Sequence, residues 1–285
     1  MIVKGHPVVL VKIGGCCFSD KKVPRSFHSN IMRHLLEQLG KIPVHPVIVH
    51  GGGSFGHPIA KEYRIQDGFN KEVDDQRAGF SFTHDAMVDV NQKIMRLLLD
   101  AGIPAYPLQS SALFMLESGK IDSSFLEPVV ALIERGFVPV LHGDTAIDLT
   151  RGIGILSGDT IIVELAEKLP FEQRHLIYLL DVDGLFDKNP NIHHDAELIR
   201  SIHIKNGEIT FHDSSGEKQL NFSDNAVSGT IDVTGGIEFK LRELSRLTHE
   251  NMEAFLVNGC KKNTLIDLHA GRLKDYTIVH INTGG

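Results

Sequence analysis

The chain is poor in cysteine and has no tryptophan and no long apolar run. Its three cysteines (Cys16, Cys17 and Cys260) are too few for a disulfide framework and lack the spacing of a metal site. No apolar run approaches the ~18 residues that a membrane span needs. The N-terminus leads into strand-like sequence without a signal-peptide cleavage pattern. We therefore expect a cytoplasmic protein with reduced thiols and no membrane partner.

An excess of basic charge is also missing. The 285 residues include 29 basic and 36 acidic side chains, a formal net charge of −7. This balance argues against a nucleic-acid partner. No long segment lacks apolar residues, which argues against a disordered tail. The length suits one large α/β domain or two lobes.

Apolar runs of strand length alternate with amphipathic helical segments. The predicted strands are 7–13, 45–50, 105–109, 137–143, 175–184, 254–259 and 276–281, and the predicted helices lie around 86–101, 125–136 and 237–247. This alternation predicts an α/β fold with a mainly parallel sheet. The polar stretch 187–232 has weak periodicity and is interpreted as loops with a short hairpin. A lobe boundary is predicted near residue 173.

Three glycine-rich loops follow strand ends or open helices. They are VKIGGCC, with Lys12 before Gly14 and Gly15; HGGGSFGH at 50–57; and VTGGIEFK, in which Lys240 follows Gly236 by about one turn. Bare backbone N–H groups beside a helix N-terminus are how proteins build phosphate sites. Tight turns alone would explain any one loop, but three in one chain favour phosphate chemistry.

Comparing these loops with known ligand-binding motifs excludes some classes of site. Gly-Lys pairs at 40–41 and 119–120 are each followed by Ile, so a Walker A loop is excluded. The loop 51–56 satisfies G-x-G-x-x-G, and Glu72 or Asp74 could contact a ribose, so a dinucleotide-binding oxidoreductase remains open. The segment 181–191 resembles an EF-hand calcium loop, but Phe186 stands at the sixth position, where that loop needs glycine. A calcium site is therefore not expected.

Phosphoryl transfer between two phosphates crowds negative charge into a small volume, so fixed cations are needed. Lys12, Lys21 and Lys240 are the candidates, because each belongs to a glycine loop or its continuation. Lys12 is the strongest of them, since an unpaired charge at the end of an apolar strand is costly.

These motifs occur in an order that resembles the amino acid kinase superfamily. VKIGG with SDK, HGGGSFGHP, GD followed by LSGD, LLDVDG and VTGGIEFK carry the resemblance over nearly the whole chain. HGGGSFGHP, with its histidine, most resembles the isopentenyl phosphate kinases, whose nearest relatives are the fosfomycin kinases. The sequence departs from the pattern at Cys16-Cys17, where serine is more usual after the paired glycines.

The resemblance implies a three-layer αβα sandwich with an acceptor lobe (1–173), an ATP lobe (174–285), magnesium as counter-ion and a homodimer. It also implies a catalytic set, namely Lys12, Lys21, His57 and Asp159. ATP would be bound by Lys12, Gly14, Gly15, Gly53, Asp181, Asp183, Gly236 and Lys240. The acceptor phosphate would contact Gly52, His57 and Gly158, and Asp144 would orient a lysine or help position magnesium.

The acceptor is the least determined part of the prediction. We hypothesise that His57 donates a hydrogen bond to the acceptor phosphate and becomes more basic when that phosphate is bound. Burying five isopentenyl carbons would contribute ~4 kcal/mol, for which Phe80, Phe82 and Met87 offer an apolar pocket. The leading expectation is ATP-dependent phosphorylation of isopentenyl phosphate to isopentenyl diphosphate. A fosfomycin kinase and a non-catalytic nucleotide-binding module are the alternatives, followed by the oxidoreductase.

Overall fold

The computed structural model describes residues 7–20, 22–171, 175–213, 216–220, 222–223, 226–227, 236–249 and 251–282. The strands are β1 (Val8–Ile13), β2 (His45–His50), β3 (Ala105–Pro107), β4 (Phe114–Glu117), β5 (Lys120–Ser124), β6 (Val138–His142), β7 (Asp144–Asp148), β8 (Gly152–Leu156), β9 (His175–Leu180), β10 (Leu185–Phe186), β11 (Leu198–Ile199), β12 (Ser201–Lys205), β13 (Glu208–Asp213), β14 (Gly216–Leu220), β15 (Phe222–Ser223), β16 (Ala226–Val227), β17 (Met252–Asn258) and β18 (Thr277–Asn282). The α-helices are α1 (Ser29–Leu39), α2 (Gly53–Glu62), α3 (Gln76–Asp100), α4 (Ser110–Leu113), α5 (Glu127–Glu134), α6 (Gly158–Lys168), α7 (Gly236–Leu244) and α8 (Thr264–His269). Two 3₁₀ turns span Gly15–Cys17 and Ile65–Asp67.

The central sheet is mixed, and its inner part is parallel. Within the described ranges its order is β14-β13-β12-β18-β17-β9-β1-β2-β6-β3. The strands from β17 to β3 run parallel to one another, whereas β18, β13 and β14 add antiparallel pairs. Every residue of β1 and β2 is buried, as expected where helices cover both faces of a parallel sheet.

Helices cover the sheet on both faces, which gives three layers. Side chains of β1 alternate between the two hydrophobic clusters, with Leu10 in one and Val11 in the other. Helices α5, α6 and α7 pack on the Leu10 side, and α1, α3 and α8 pack on the Val11 side. The three-layer αβα sandwich is therefore confirmed.

The segment 187–232 is more ordered than the sequence indicated. Besides a short hairpin of β15 and β16, the antiparallel strands β12, β13 and β14 extend the main sheet, which β12 joins through a parallel pair with β18. In SIHIK the buried Ile202 and Ile204 alternate with exposed residues, a period-two pattern that the many polar neighbours obscured. Residues 221, 224–225 and 228–235 lie outside the described part of the chain.

A second sheet, of order β5-β4-β7-β8, places its last hairpin beside the main sheet. Strand β6 leads into β7, and β8 leads directly into α6, so the ends of the hairpin converge near the carboxyl end of β1. The predicted lobe boundary falls on residues 172–174, which the structure does not describe. Beyond it, β9 pairs directly with β1, so both predicted lobes share one sheet. No helix in the described ranges has the length and apolar character of a membrane span.

Candidate active site

A cavity of about 300 Å³ opens at the carboxyl ends of β1, β2 and β6. This edge of a parallel sheet is where α/β proteins place ligands. Its lining includes eleven of the predicted site residues, namely Lys12, Gly14, Gly15, Gly52, Gly53, His57, Met87, Asp144, Gly158, Asp159 and Lys240.

Two lysines and one aspartate form the charged centre of the cavity. Lys12 Nζ lies 3.4 Å from Asp159 Oδ1, and Lys240 Nζ lies 3.3 Å from Asp159 Oδ2. The three side chains are only 4%, 13% and 12% exposed for Lys12, Asp159 and Lys240 respectively. Two cations on one carboxylate leave a net positive charge, which suits a site for phosphates.

Local sequence explains how β1 and α6 bring this pair together. Ser157 caps α6 by accepting a hydrogen bond from the backbone N–H of Asp159. Its successor Gly158 packs so closely on β1 that an added Cβ would lie 2.8 Å from the Cε of Lys12. The N-terminus of α6 therefore faces the cavity, where its backbone N–H groups favour an anion.

Burial and charge act against each other on the ion pair. Burial lowers the pKa of Lys12 below its ordinary value, and the proximity of Lys240 adds to this, while Asp159 opposes both. Burial would raise the pKa of Asp159, but Lys12 and Lys240 outweigh it, so that pKa lies below its ordinary value. Asp159 is therefore ionised at neutral pH and keeps both ammonium groups directed into the cavity.

The turn that contains Gly15 is in direct contact with the turn that contains Gly53. An added Cβ at Gly15 would lie 2.4 Å from the backbone N of Gly53, whose φ of +51° is in the left-handed region. The Ser19 hydroxyl joins the turns, because it donates to the Gly15 carbonyl at 2.8 Å and accepts from Ser54 N–H at 3.0 Å. The turns thus form one surface of backbone groups opposite the lysines.

His57 lies at the mouth of the cavity, in the first turns of α2. Its Nδ1 is 2.9 Å from the Gly53 carbonyl oxygen. A carbonyl can only accept, so Nδ1 carries the proton and donates it in this hydrogen bond. In the neutral imidazole Nε2 is then an acceptor, and it gains a donor proton only in the imidazolium form.

Part of the cavity lining is apolar. It includes the side chains of Ala60, Met87, Ile155 and Leu156. Of the predicted pocket residues, only Met87 lines this cavity, beneath Gly52 and Gly56. Phe80 instead lines a neighbouring cavity of about 270 Å³, and Phe82 is 53% exposed.

Asp144 contacts a histidine rather than a lysine. Its carboxylate oxygens are each 3.1 Å from His84 Nδ1, and they also accept from the Gln109 amide and the Thr145 N–H. No lysine ion pair of Asp144 is found within the described ranges. The contacts of Asp144 in the described residues thus do not include one that would orient a lysine, and this role stays a prediction.

The remaining nucleotide-side residues lie beyond the cavity lining. Asp181 and Asp183 follow β9, where Asp183 pairs with Lys261 at 2.6 Å. Gly236 is the first residue of α7, and residues 228–235 before it are outside the described part. Lys21 is also outside the described residues, so its role stays a prediction.

Sequence reasoning missed two buried histidines behind the glycine turns. His50 and His142 end the neighbouring strands β2 and β6 and stack with ring centroids 5.3 Å apart. Burial and the proximity of His142 lower the pKa of His50 to about 3, so the ring is neutral at neutral pH. Both of its nitrogens take part in hydrogen bonds. The repeated His-Gly pair at two strand ends was the available signal. Ser157 was missed as well, although Ser before Gly-Asp is typical of a helix cap.

Comparison with known proteins agrees with this geometry. A family model for the amino acid kinase family matches residues 7–258. The isopentenyl phosphate kinase of Methanothermobacter thermautotrophicus is 33% identical over 260 residues, covering 88% of this chain and 91% of the relative. That of Methanocaldococcus jannaschii is 32% identical over 280 residues, covering 94% and 96% respectively.

The solved structures give the same result. One described as X-ray structures of isopentenyl phosphate kinase superimposes with a TM-score of 0.78 at 27% identity, covering 95% of this chain and 99% of that one. The chain therefore belongs to the amino acid kinase family, alongside the isopentenyl phosphate kinases that it matches over most of its length.

Proposed function

We propose that this protein transfers the γ-phosphoryl group of ATP to isopentenyl phosphate, which yields isopentenyl diphosphate and ADP. One observation carries the proposal: a single cavity is lined both by two lysines with bare glycine backbone and by a group of apolar side chains. An isopentenyl phosphate molecule has the same division into an anionic head and a short apolar tail. The isopentenyl phosphate kinase relatives support the same substrate.

The lysines supply most of the chemistry in this proposal. A loose, in-line transition state spreads negative charge over the equatorial phosphoryl oxygens. Lys12 and Lys240 neutralise that charge from a buried position, where each interaction is stronger than in water. Asp159 keeps them in place before the nucleotide binds. An oxygen of the acceptor phosphate attacks the γ-phosphorus, and the bond to the ADP oxygen breaks.

No general base is needed for this step. A phosphate monoester has its second pKa near 6 and is mostly ionised at neutral pH, so its oxygen is already a nucleophile. The site needs only to hold two anions at reacting distance. The backbone of Gly52 and Gly53 and the N-terminus of α6 at Gly158 face the cavity from two sides. They are the groups proposed to hold the acceptor and the transferring phosphoryl group.

Magnesium is proposed to enter with ATP. No group of three or more histidine, cysteine or carboxylate side chains is arranged as a metal cage within the described ranges. Two carboxylates, Asp144 and Asp159, nevertheless line the cavity, and Asp159 Oδ1 accepts no hydrogen bond in the described ranges beyond its ion pair with Lys12 at 3.4 Å. Magnesium commonly binds through one or two carboxylates together with phosphates and water, so this donor set fits. The ion would neutralise charge on the ATP phosphates.

The test is magnesium-dependent ADP release from ATP, with isopentenyl phosphate and fosfomycin offered separately. We expect turnover with isopentenyl phosphate and much less with fosfomycin. Turnover with fosfomycin alone would keep the kinase chemistry but overturn the acceptor. ATP binding without ADP release on either acceptor would favour a binding module. Tight binding in a titration of NAD(P)H fluorescence would favour the oxidoreductase.

The assembly and the compartment are also proposals. The family resemblance supports a homodimer. The three cysteines, which are all free thiols, support a cytoplasmic location. Light scattering after size-exclusion chromatography would test the dimer, because the molar mass measured for a monomer would equal the chain mass of 31.5 kDa.

A further inference from the structure

All three cysteines of the chain meet at the end of β1, although they come from opposite ends of the sequence. Cys16 and Cys17 form the 3₁₀ turn after β1, and Cys260 follows β17. Cys16 is half-buried and lines the cavity, Cys17 is fully buried, and Cys260 is exposed. The proposed transfer reaction uses none of these thiols.

Cys17 is held directly beneath the turn that carries Cys260. Its Sγ donates to the Leu180 carbonyl at 3.3 Å, and the same carbonyl accepts from the Gly259 N–H at 2.8 Å. An added Cβ at Gly259 would lie 3.0 Å from the Cys17 Sγ, so the sulfur touches the residue before Cys260. The turn at Gly259 thus brings the exposed thiol to the buried one.

The thiols also differ in how easily they ionise. Contacts with the Cys16 and Cys260 thiols, together with burial, raise the pKa of Cys17 well above its ordinary value. Contact with Cys17 lowers the pKa of Cys260, although burial and Asp181 oppose this. Contact with Cys17 lowers the pKa of Cys16 as well. Between Cys17 and Cys260, the exposed Cys260 therefore forms a nucleophilic thiolate more readily.

We propose that Cys260 and Cys17 form a peroxide-sensitive modification site, in which oxidation joins them in a disulfide. Adjacent Cys16 and Cys17 cannot form an unstrained bridge, so the pair across the two turns is the productive one. In proteins of a reducing compartment, such disulfides are typically transient and redox-sensing.

The chemistry balances with hydrogen peroxide as the oxidant. The Cys260 thiolate attacks one peroxide oxygen, the O–O bond breaks, and the other oxygen leaves as water after protonation. The resulting sulfenic acid is attacked at sulfur by Cys17, which loses its proton, and the S–O bond breaks to release a second water. Two thiols and one peroxide thus give one disulfide and two waters.

The disulfide acts on the phosphate site through the turn that carries Cys17. To bond Cys260, the Cys17 sulfur must leave the Leu180 carbonyl. Gly15 in the same turn already abuts Gly53, so a shift of the turn is passed to the second glycine loop. We expect kcat to fall by about tenfold to about a hundredfold, because misplacement by about 1 Å can cost that much. A thiol reductant should restore the activity.

The experiment treats the reduced protein with hydrogen peroxide, removes the excess with catalase, and maps cysteine linkages on non-reduced peptides by mass spectrometry. We expect a Cys17–Cys260 peptide and loss of ATP-dependent ADP release, both reversed by dithiothreitol. A Cys16–Cys260 linkage, or sulfinic acids without a linkage, would overturn the proposal. The peptide map does not depend on the acceptor, so it can fail or succeed separately from the proposed kinase activity.

Cys260→Ser is the matched control, because this exposed side chain does not line the cavity. We expect normal activity before treatment and resistance to peroxide afterwards. Inactivation of this variant at the same rate as the native protein would overturn the proposal. The Cys16→Ser variant tests whether oxidation of Cys16 in the cavity causes the loss of activity. We expect this variant still to lose activity after peroxide treatment, relative to its own untreated sample. Protection by Cys16→Ser would assign the effect to Cys16 instead.

Discussion

Lys12 Nζ and Asp159 Oδ1 lie 3.4 Å apart, both on largely buried side chains, with Lys240 on the other oxygen of the same carboxylate. Removing one member of such a cluster exposes how much it contributes to folding and how much to catalysis. A buried charge that loses its partner destabilises a protein, whereas a cation missing from the transition state slows the reaction. The two effects can be separated by changing the lysine alone and then both residues.

We predict that Lys12→Met lowers kcat by at least about a hundredfold, because a fixed cation is lost from the transition state. The free energy of unfolding should change by less than about 1 kcal/mol, because Asp159 keeps Lys240 as its ion-pair partner and no charge at position 12 is then buried. Adding Asp159→Asn should lower the free energy of unfolding, because Lys240 then loses this carboxylate, and it should restore none of the activity. Urea denaturation and ADP release measure the two quantities.

Lys168→Met is the control for that experiment. Lys168 lies in α6 like Asp159 but is 47% exposed and pairs with Glu164 on the surface. Its loss should change stability by less than about 1 kcal/mol and leave kcat unchanged. If the double variant regained activity, the cluster would have no direct role in transfer.

Acceptor binding should take up a proton at His57. Nδ1 already donates to the Gly53 carbonyl, so Nε2 must be protonated before it can donate to a phosphate. Titration calorimetry with isopentenyl phosphate in two buffers of different ionisation enthalpy should show net proton uptake. His57→Ala should abolish the uptake and raise the KM for the acceptor, while ATP binding stays nearly intact.

The control is His34→Ala, since His34 is exposed and lies on α1, outside the cavity lining. That variant should show the uptake of the native protein. Equal loss of ATP and acceptor affinity in His57→Ala would contradict the assignment, as would proton uptake that persists in it.

The pH dependence of stability should report the buried histidines. The pKa of His50 is about 3 in the folded protein, against 6.5 for the free side chain. Below about pH 6.5 the unfolded chain therefore binds a proton that the folded chain does not, so the free energy of unfolding falls as pH decreases. Between about pH 7 and about pH 4.5 the contribution of this one group is about 2.5 kcal/mol.

His50→Gln should reduce the slope of unfolding free energy against pH. Some slope should remain, because burial also lowers the pKa of the stacked His142. Guanidinium denaturation at several pH values measures it, with His34→Gln as the exposed control. An unchanged slope in His50→Gln would show that His50 is not held neutral.

Tyr178→Phe should leave the fold intact and increase its stability by about 1 kcal/mol. The Tyr178 hydroxyl is buried and has no hydrogen-bond partner in the described ranges, and an unmet hydroxyl costs about 1–3 kcal/mol. Burial, Asp159 and Glu243 raise the pKa of Tyr178 well above its ordinary value, so it stays neutral. Tyr106→Phe, at a 49% exposed position, should change nothing. Lower stability of Tyr178→Phe in thermal denaturation would reveal a hydrogen bond at this hydroxyl.

Local signals in the sequence were enough for the parallel part of the sheet and for one side of the site. Lys12 lies near the end of one apolar strand and Gly52 follows another, so the strand pattern by itself places both at the same edge of a parallel sheet. The pairing of Asp144 with His84 could not be predicted. It depends on the position of α3 along β7, which is decided by packing between distant segments. The same holds for Phe82, whose apolar side chain is exposed on α3.

The lysine–aspartate cluster also has a consequence for how the protein folds. Its three members come from the first strand, the middle of the chain and a helix near the C-terminus. Contacts of such large sequence separation form late, because the loop entropy must be overcome first. Catalytic competence is therefore acquired only when the ends of the chain have come together. During refolding, native-like secondary structure will precede the return of activity, and a chain released before α7 is complete will have no partial function.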